Sequence, residues 1–415
     1  MMERQERKEV FILGAGPAGL SSAYFMEKKG FKVTVIEKSD TVGGLSKGVS
    51  FLDQKYDLGP HSFYANYSKE TKQFFEQFVG KENYTKVKPE KLIQTKEALF
   101  SSPFKFSSLF KGNNVFFFLA YAFFKGLAFF SFSKNKTVID KHGYWLRKKI
   151  FVPYCRKYFN LDEHLISEDF INLLYASDTN TSDDSIYIPH AGYIGKLWEE
   201  VHEYLVEKGV TFEFKQQVTQ VNCKDGRIVQ FQTQDQSFTN ISRVISTIPL
   251  TLLHGLVFPD SSLKSNLLYR ATLIVFIEVE KITTDALYLT NYNLDEIIGR
   301  ISFCTNWKKE SLNQVISAEL WCDVADPIFN LSEQEISDIV IQSLKKLSVI
   351  RIGKQPKYKV IKIPKCFPVL DSEYKKELTQ VSDKLNTITN LTCIGRHGKF
   401  QWDGIDEVIK AANYV

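Results

Sequence analysis

Residues 10–13 form a short apolar run that stops at Gly14-Ala15-Gly16-Pro17-Ala18-Gly19. Beyond it apolar residues recur at helical spacing through Leu20, Ala23, Tyr24 and Phe25 to Gly30. A second run, residues 32–36, ends on the acid Glu37. The pattern predicts strand, glycine turn, helix, strand. Farther along, an amphipathic helix is predicted to end near Gly209, followed by strands over 210–221 and 227–232 and a buried strand over 243–250 that includes Pro249. Alternation of apolar and polar residues predicts more strands at 268–281, 286–290 and 315–322, and residues 407–413 are compatible with a helix. Residues 67–180 carry helical patterns rich in Phe, Tyr and Lys, interrupted at Pro103 and around Asn113.

Within that region residues 115–132, VFFFLAYAFFKGLAFFSF, hold a single charge, Lys125. Their length approaches that of a membrane span. Lys125 and Gly126 at the centre, with Lys111, Lys134 and Lys136 outside, suit a helix lying in a membrane interface with peripheral contact to lipid, or a greasy substrate cover, better than a span; a core or dimer-interface helix is the further reading.

At 415 residues, with 44% hydrophobic and 24% charged positions, the chain is long enough for two or three domains and far from the composition of disorder. Its 53 basic and 48 acidic residues are spread without long like-charge runs, so no nucleic-acid partner is expected, while an acidic small molecule stays open. Six cysteines without CxxC spacing argue for a reducing compartment and against a structural metal site, and no metal is expected. The amino-terminal apolar stretch is too short and too glycine-broken for a signal peptide, so a cytoplasmic location is expected, peripheral to a membrane if residues 115–132 touch lipid.

The first fifty residues carry the chemistry. A diphosphate held at a helix N-terminus meets free N–H groups and the positive end of the helix dipole, provided that no Cβ intervenes. Gly14 permits the tight turn, Gly16 the approach of the phosphates and Gly19 the close packing of helix on strand; Pro17 and Ala18 open the helix. Glu37, eighteen residues past Gly19, suits the two hydroxyls of an adenosine ribose and disfavours a 2′-phosphate. A dinucleotide cofactor follows, FAD or NAD. The next residues, Glu37-Lys38-Ser39-Asp40-Thr41-Val42-Gly43-Gly44-Leu45, add a second glycine turn, whose amides suit the ribityl and pyrophosphate part of FAD.

This acid followed by a GG pair resembles the flavoprotein superfamily of amine oxidases, phytoene desaturases, protoporphyrinogen oxidases and UDP-galactopyranose mutases. The likeness continues in Asp57-Leu58-Gly59-Pro60-His61-Ser62-Phe63, similar to a segment that passes beside the flavin ring in the family, and in residues 186–198 and 243–250. It closes with Gly395-Arg396-His397-Gly398-Lys399-Phe400-Gln401-Trp402-Asp403-Gly404-Ile405-Asp406, where Trp402 and Asp403-Gly404 depart from the family pattern. The resemblance implies an α/β fold: a discontinuous Rossmann-type FAD-binding domain (9–66, 186–252, 386–415), a helical insertion (67–185) and a mixed α+β substrate domain (253–385). It implies FAD contacts from Gly14, Gly16, Pro17, Ala18, Gly19, Glu37, Lys38, Gly43, Gly44, Leu45 and His61, from the backbone at Val218 beside the adenine, and from Gly395, Arg396 and Ile405. Arg396 is expected on the pyrophosphate, and the helix opened by Ile405 and Asp406 at the flavin carbonyl. His61 and Arg300, the latter in a Gly299-Arg300-Ile301 match, are the catalytic candidates. A purely structural His61 and a solvating Arg300 are the plain alternatives.

The implied function is an FAD-dependent oxidoreductase passing a hydride from a small organic, lipid-linked or sugar-linked substrate to flavin N5. A flavin-dependent sugar mutase and a non-catalytic flavin-binding protein are the competing readings. A homodimer is compatible with each. No P-loop, HExxH or GxSxG motif is present.

Overall fold

A computed structural model describes residues 8–102, 119, 147–171, 183–263, 265–308 and 313–415. Its first layer is a five-stranded, all-parallel sheet in the order Thr211–Glu213, Lys32–Ile36, Glu9–Leu13, Arg243–Ser246, Leu391–Cys393. The strands come from three separated parts of the chain. Alternate residues of the central strand face opposite ways: Val10 and Ile12 join the core beneath the helices, while Phe11 and Leu13 join a second core. Burial on both faces is why these strands read as continuous apolar runs.

Helices Pro17–Lys28, Gly195–Glu207 and Ile405–Asn413 cover one face, with Lys69–Val79 packed beside Gly195–Glu207. A three-stranded antiparallel sheet, residues 220–239, covers the other, setting Phe231 and Phe238 edge-on to Phe11 at 5.2 and 5.6 Å.

The larger layer is a seven-stranded mixed sheet in the order Tyr358–Pro368, Tyr269–Glu278, Val315–Cys322, Arg300–Ser302, Tyr288–Asn291, Lys91–Gln94, Leu99–Ser102. Helix Glu333–Leu344 packs on it, opened by a capping box between Ser332 and Glu335.

Three expectations are corrected. Strand 210–221 is two pieces, Thr211–Glu213 and Gln220–Lys224. Between them the chain wraps the turn after Glu37, with Lys215 N–H donating to the Ser39 carbonyl and Gln216 N–H to that of Glu37, both at 2.9 Å. The 243–250 run leaves the sheet after Ser246, and a helix, Leu250–Val257, follows with Pro249 at its N-cap. In the region expected to be helical, residues 84–102 form three strands. Each is four residues long, too short for alternation to stand out against the aromatic background. No helix among the described residues is long and apolar enough to cross a membrane; residues 115–132 lie outside them, apart from Leu119.

Candidate functional site

The glycine turn sits at the carboxyl ends of the parallel strands, where ligands bind in open α/β sheets. Helix Pro17–Lys28 begins there with Gly16 at its N-cap, no side chain capping it and no acid in its own first turn, so the positive end of its dipole is open to an added anion. The missing Cβ atoms have separate consequences. One at Gly19 would stand 1.8 Å from the Gly14 carbonyl oxygen, which forbids it. One at Gly16 would meet only the Gly44 Cα, at 3.8 Å, so the bare space over Gly16 is not required by packing. Gly44 in turn lies against Gly16, and Gly43 N–H donates to the Ala15 carbonyl at 2.8 Å. The two glycine turns predicted from sequence are one surface.

Glu37 ends the second strand, almost buried. Its Oε2 accepts from Ala15 N–H at 2.7 Å and its Oε1 from the Ser39 N–H and hydroxyl, both at 2.8 Å. The carboxylate therefore ties the two turns together, and its further lone pairs are what it offers a ribose. Lys38 is exposed beside it, Leu45 is half-buried, and Val218 is buried two residues beyond Gln216.

The C-terminal motif docks on the same surface. Gly395 has φ +78°, and a Cβ there would lie 2.6 Å from that of Ala18, so the 395–398 turn rests on the first turn of the amino-terminal helix. Arg396 is held at the edge of this turn: its Nε and Nη2 donate to the Asp403 carbonyl at 3.1 and 3.0 Å, and its guanidinium carbon lies 5.3 Å from the Trp402 ring centroid. Trp402, which departs from the family pattern, is the shelf under that guanidinium. Asp406, at the start of the last helix, turns away to accept from Ser68 N–H and Oγ (3.1 and 2.8 Å) and from Lys410 (2.6 Å), while Ile405 packs partly buried in the helical core.

His61 hangs on the turn between strands Gln54–Asp57 and Phe63–Tyr64. Asp57 anchors the turn's start: its carboxylate accepts from the Ile194 and Gly195 N–H groups (2.8 and 3.1 Å) where helix Gly195–Glu207 begins, although burial pushes its pKa up to about 7. His61 Nδ1 lies 3.2 Å from the Gly59 carbonyl oxygen. Burial first, then the charges of Arg300 and Arg396, lower its pKa to about 4, so the ring is neutral at physiological pH, with Nδ1–H donating and Nε2 left as acceptor.

Arg300 is not a solvating arginine. The register of the large sheet sets it opposite Glu319, and its Nε and Nη2 donate to the two carboxylate oxygens at 2.7 Å each, with Glu319 only 3% exposed. Burial disfavours the Arg300 charge, and the Glu319 carboxylate more than offsets this, raising the pKa. Glu319 also explains Gly59, which has φ +79°: a Cβ there would come within 2.6 Å of the Glu319 Oε1. Glu319 was missed from sequence, although one acid in the otherwise buried run Val315–Cys322 was its signal.

Beside Arg300 stands an aromatic wall. Tyr158 stacks on Phe367 (4.2 Å, 17°) and on Tyr154 (5.0 Å, 15°), and meets Trp321 and Trp402 edge-on at 4.5 and 5.8 Å. Trp321 lies over Gly299, where a Cβ would meet its ring at 2.4 Å.

An uncapped helix N-terminus, abutting glycine turns, an acid at the second strand end and a C-terminal segment seated on the same helix define a dinucleotide-cofactor protein of the α/β class, and the bare space over Gly16 fits a diphosphate. The comparisons narrow this to flavin. Residues 17–362 match the family described as flavin containing amine oxidoreductase, and the chain belongs to that family, whose cofactor is FAD. Among curated proteins it is similar to a 1-hydroxycarotenoid 3,4-desaturase of Flavobacterium sp. (strain P99-3), 41% identical over 56 residues that make up 14% of this chain and 12% of that protein. It is likewise similar to a D-amino acid dehydrogenase of Helicobacter pylori, 48% identical over 56 residues, 14% of each. These matches thus span only about an eighth of the relatives' length. Among solved structures, reduced UDP-galactopyranose mutase superposes with a TM-score of 0.78 at 16% identity, covering 98% of this chain and 92% of that one. An oxidoreductase from Methanosarcina mazei gives 0.63 at 14% identity, covering 98% and 100%. At such identities the likeness establishes the fold, a parallel Rossmann-like sheet joined to a large mixed sheet.

Proposed function

We propose that this flavin-dependent oxidoreductase takes a hydride from an organic substrate held between the His61 turn and the aromatic wall of Tyr158, Trp321 and Trp402. The turn at Gly14, Gly16, Pro17, Ala18 and Gly19 would hold the FAD diphosphate, Glu37 and Lys38 the ribose end, Val218 the adenine, and Gly43, Gly44 and Leu45 the ribityl chain. Gly395, Arg396 and Ile405 would close the site from the C-terminal side. When bound, FAD supplies a two-electron acceptor at N5.

The chain's own residues orient the substrate and keep water out. His61, neutral and with Nδ1 engaged, offers one acceptor nitrogen at Nε2 for a substrate or cofactor N–H or O–H. Arg300 is fixed by both of its forked donors and presents its remaining N–H groups from a rigid position.

The observation that carries this reading is the Arg300–Glu319 pair. A mutase of nucleotide sugars needs uncompensated cations for the departing diphosphate, whereas here the guanidinium beside His61 is neutralised by a buried acid. An apolar or aromatic substrate giving up a hydride suits such a wall better. The experiment is an anaerobic panel of amines, polyenes and porphyrinogens added to the oxidised holoprotein: bleaching of the flavin band by a member of the panel supports the proposal. Isomerisation of UDP-galactopyranose by the dithionite-reduced protein, without net redox, would replace it with the mutase reading.

A further inference from the structure

The parallel sheet has a second end. At the amino ends of its strands, on the order of 15 Å from the glycine turns for strands of this length, a groove of about 310 Å3 opens among Lys8, Glu9, Phe31, Arg227, Ser242, Arg243, Thr389, Asn390 and Thr392. That volume admits a small organic or inorganic ligand.

Its charge is one-sided. Lys8, Arg227 and Arg243 all line it, and the single acid among its described residues, Glu9, is already paired with Lys32 at 3.1 Å. Arg243 is half-buried, yet its guanidinium makes no hydrogen bond or ion pair among the described residues, and neither does the Lys8 ammonium. Among the described residues Arg227 makes only a long contact, 3.4 Å, from Nη2 to the Ser242 carbonyl. Three cations around one cleft repel one another unless an anion joins them.

The floor is rigid. Asn390 is buried with its amide donating to the Ile228 and Ile241 carbonyls (2.9 and 3.2 Å) and its Oδ1 accepting from Ile228 N–H (2.9 Å), which pins the strands from which the two arginines project. Hydroxyls of Ser242 and Thr392 add neutral donors, and Phe31 supplies an apolar wall.

We propose that this groove binds a small free polyanion bearing adjacent phosphoryl groups, of the pyrophosphate class, with Arg227 and Arg243 as forked ligands and Lys8 as a point charge. The site is separate from the one that takes the cofactor's own diphosphate, and the inference stands whether or not the proposed hydride transfer is right.

The test is calorimetric titration of the FAD-loaded protein with inorganic pyrophosphate, with sulfate at matched ionic strength as control and the flavin spectrum followed throughout. Saturable one-to-one binding is expected, with flavin retained, and with affinity falling about tenfold in Arg243→Gln and again in Arg243→Gln/Arg227→Gln. Pyrophosphate binding no tighter than sulfate, unchanged affinity in the double variant, or release of flavin as pyrophosphate binds would each overturn the proposal. If Arg243→Gln fails to fold, the exposed Lys8→Gln and Arg227→Gln carry the test: each should weaken binding several-fold, and full affinity in both would overturn it.

Discussion

At the scale of single residues, electrostatics gives two tests. His61 and His397 both have folded pKa values lowered to about 4 from an ordinary 6.5, in each case chiefly through burial and then through nearby cations. A folded value below the unfolded one means that the unfolded chain binds more protons between these limits. Stability contributed by the neutral rings is therefore full above about pH 6.5 and is lost as pH falls toward 4. Urea unfolding across that range should show stability dropping with acid, and His61→Gln should make the drop shallower; an unchanged slope would mean that the ring is not held neutral by the fold. The second test concerns Glu319. Removing it strands Arg300 in a largely buried place, so Glu319→Ala should cost about 3 kcal/mol in chemical denaturation, and Glu319→Gln, which keeps a hydrogen-bond acceptor, clearly less. Equal losses would say that the stranded Arg300 charge, and not the lost acceptor, sets the whole cost, whereas no loss in Glu319→Gln would say that charge neutralisation is not the issue.

At the scale of elements, the seating of the C-terminal turn on the amino-terminal helix is the contact that assembles the site. Gly395 is needed there twice, for its φ of +78° and for the 2.6 Å approach to the Ala18 Cβ. Gly395→Ala should therefore destabilise by about 2 kcal/mol, combining left-handed strain with the clash. Adding Ala18→Gly should recover only part of this by thermal unfolding, because the strain stays. Full recovery would assign the whole cost to the clash. The same elements show what the sequence made legible. The first strand, turn, helix and acid were readable because backbone geometry around a diphosphate admits few residue types at few spacings. The Val315–Cys322 strand was readable from its pattern and matched in full. Short strands such as Lys91–Gln94 were not, since their identity comes from partners distant in sequence, here Tyr288–Asn291. The direction of the Arg396 guanidinium was illegible for a similar reason: the Asp403 carbonyl and the Trp402 ring that hold it depend on a loop conformation that spacing does not encode.

At the scale of the whole molecule, the parallel sheet draws strands from residues 9–36, 211–213, 243–246 and 391–393, so the amino- and carboxyl-terminal parts of the chain must both be in place before a cofactor site exists. A ligand of such a site favours the assembled form by mass action. Adding FAD to stripped protein at a hundred times its dissociation constant should therefore stabilise the fold by about 2.7 kcal/mol, seen as a rise in unfolding temperature that grows with FAD concentration. No concentration dependence would separate folding from cofactor binding and break this link.

The central claim, that the space bared over Gly16 is kept for the cofactor's diphosphate, has a direct test in the comparison of two alanine substitutions. Gly19→Ala drives a methyl into the Gly14 carbonyl and should damage the fold itself. Gly16→Ala meets only the Gly44 Cα at 3.8 Å, so the stripped protein should keep its circular dichroism and lose at most about 1 kcal/mol of stability. Its affinity for FAD, measured by flavin fluorescence quenching, should nevertheless fall at least about tenfold because the methyl stands where the phosphates must approach. A folded Gly16→Ala protein that binds FAD as tightly as the unaltered chain would contradict the account.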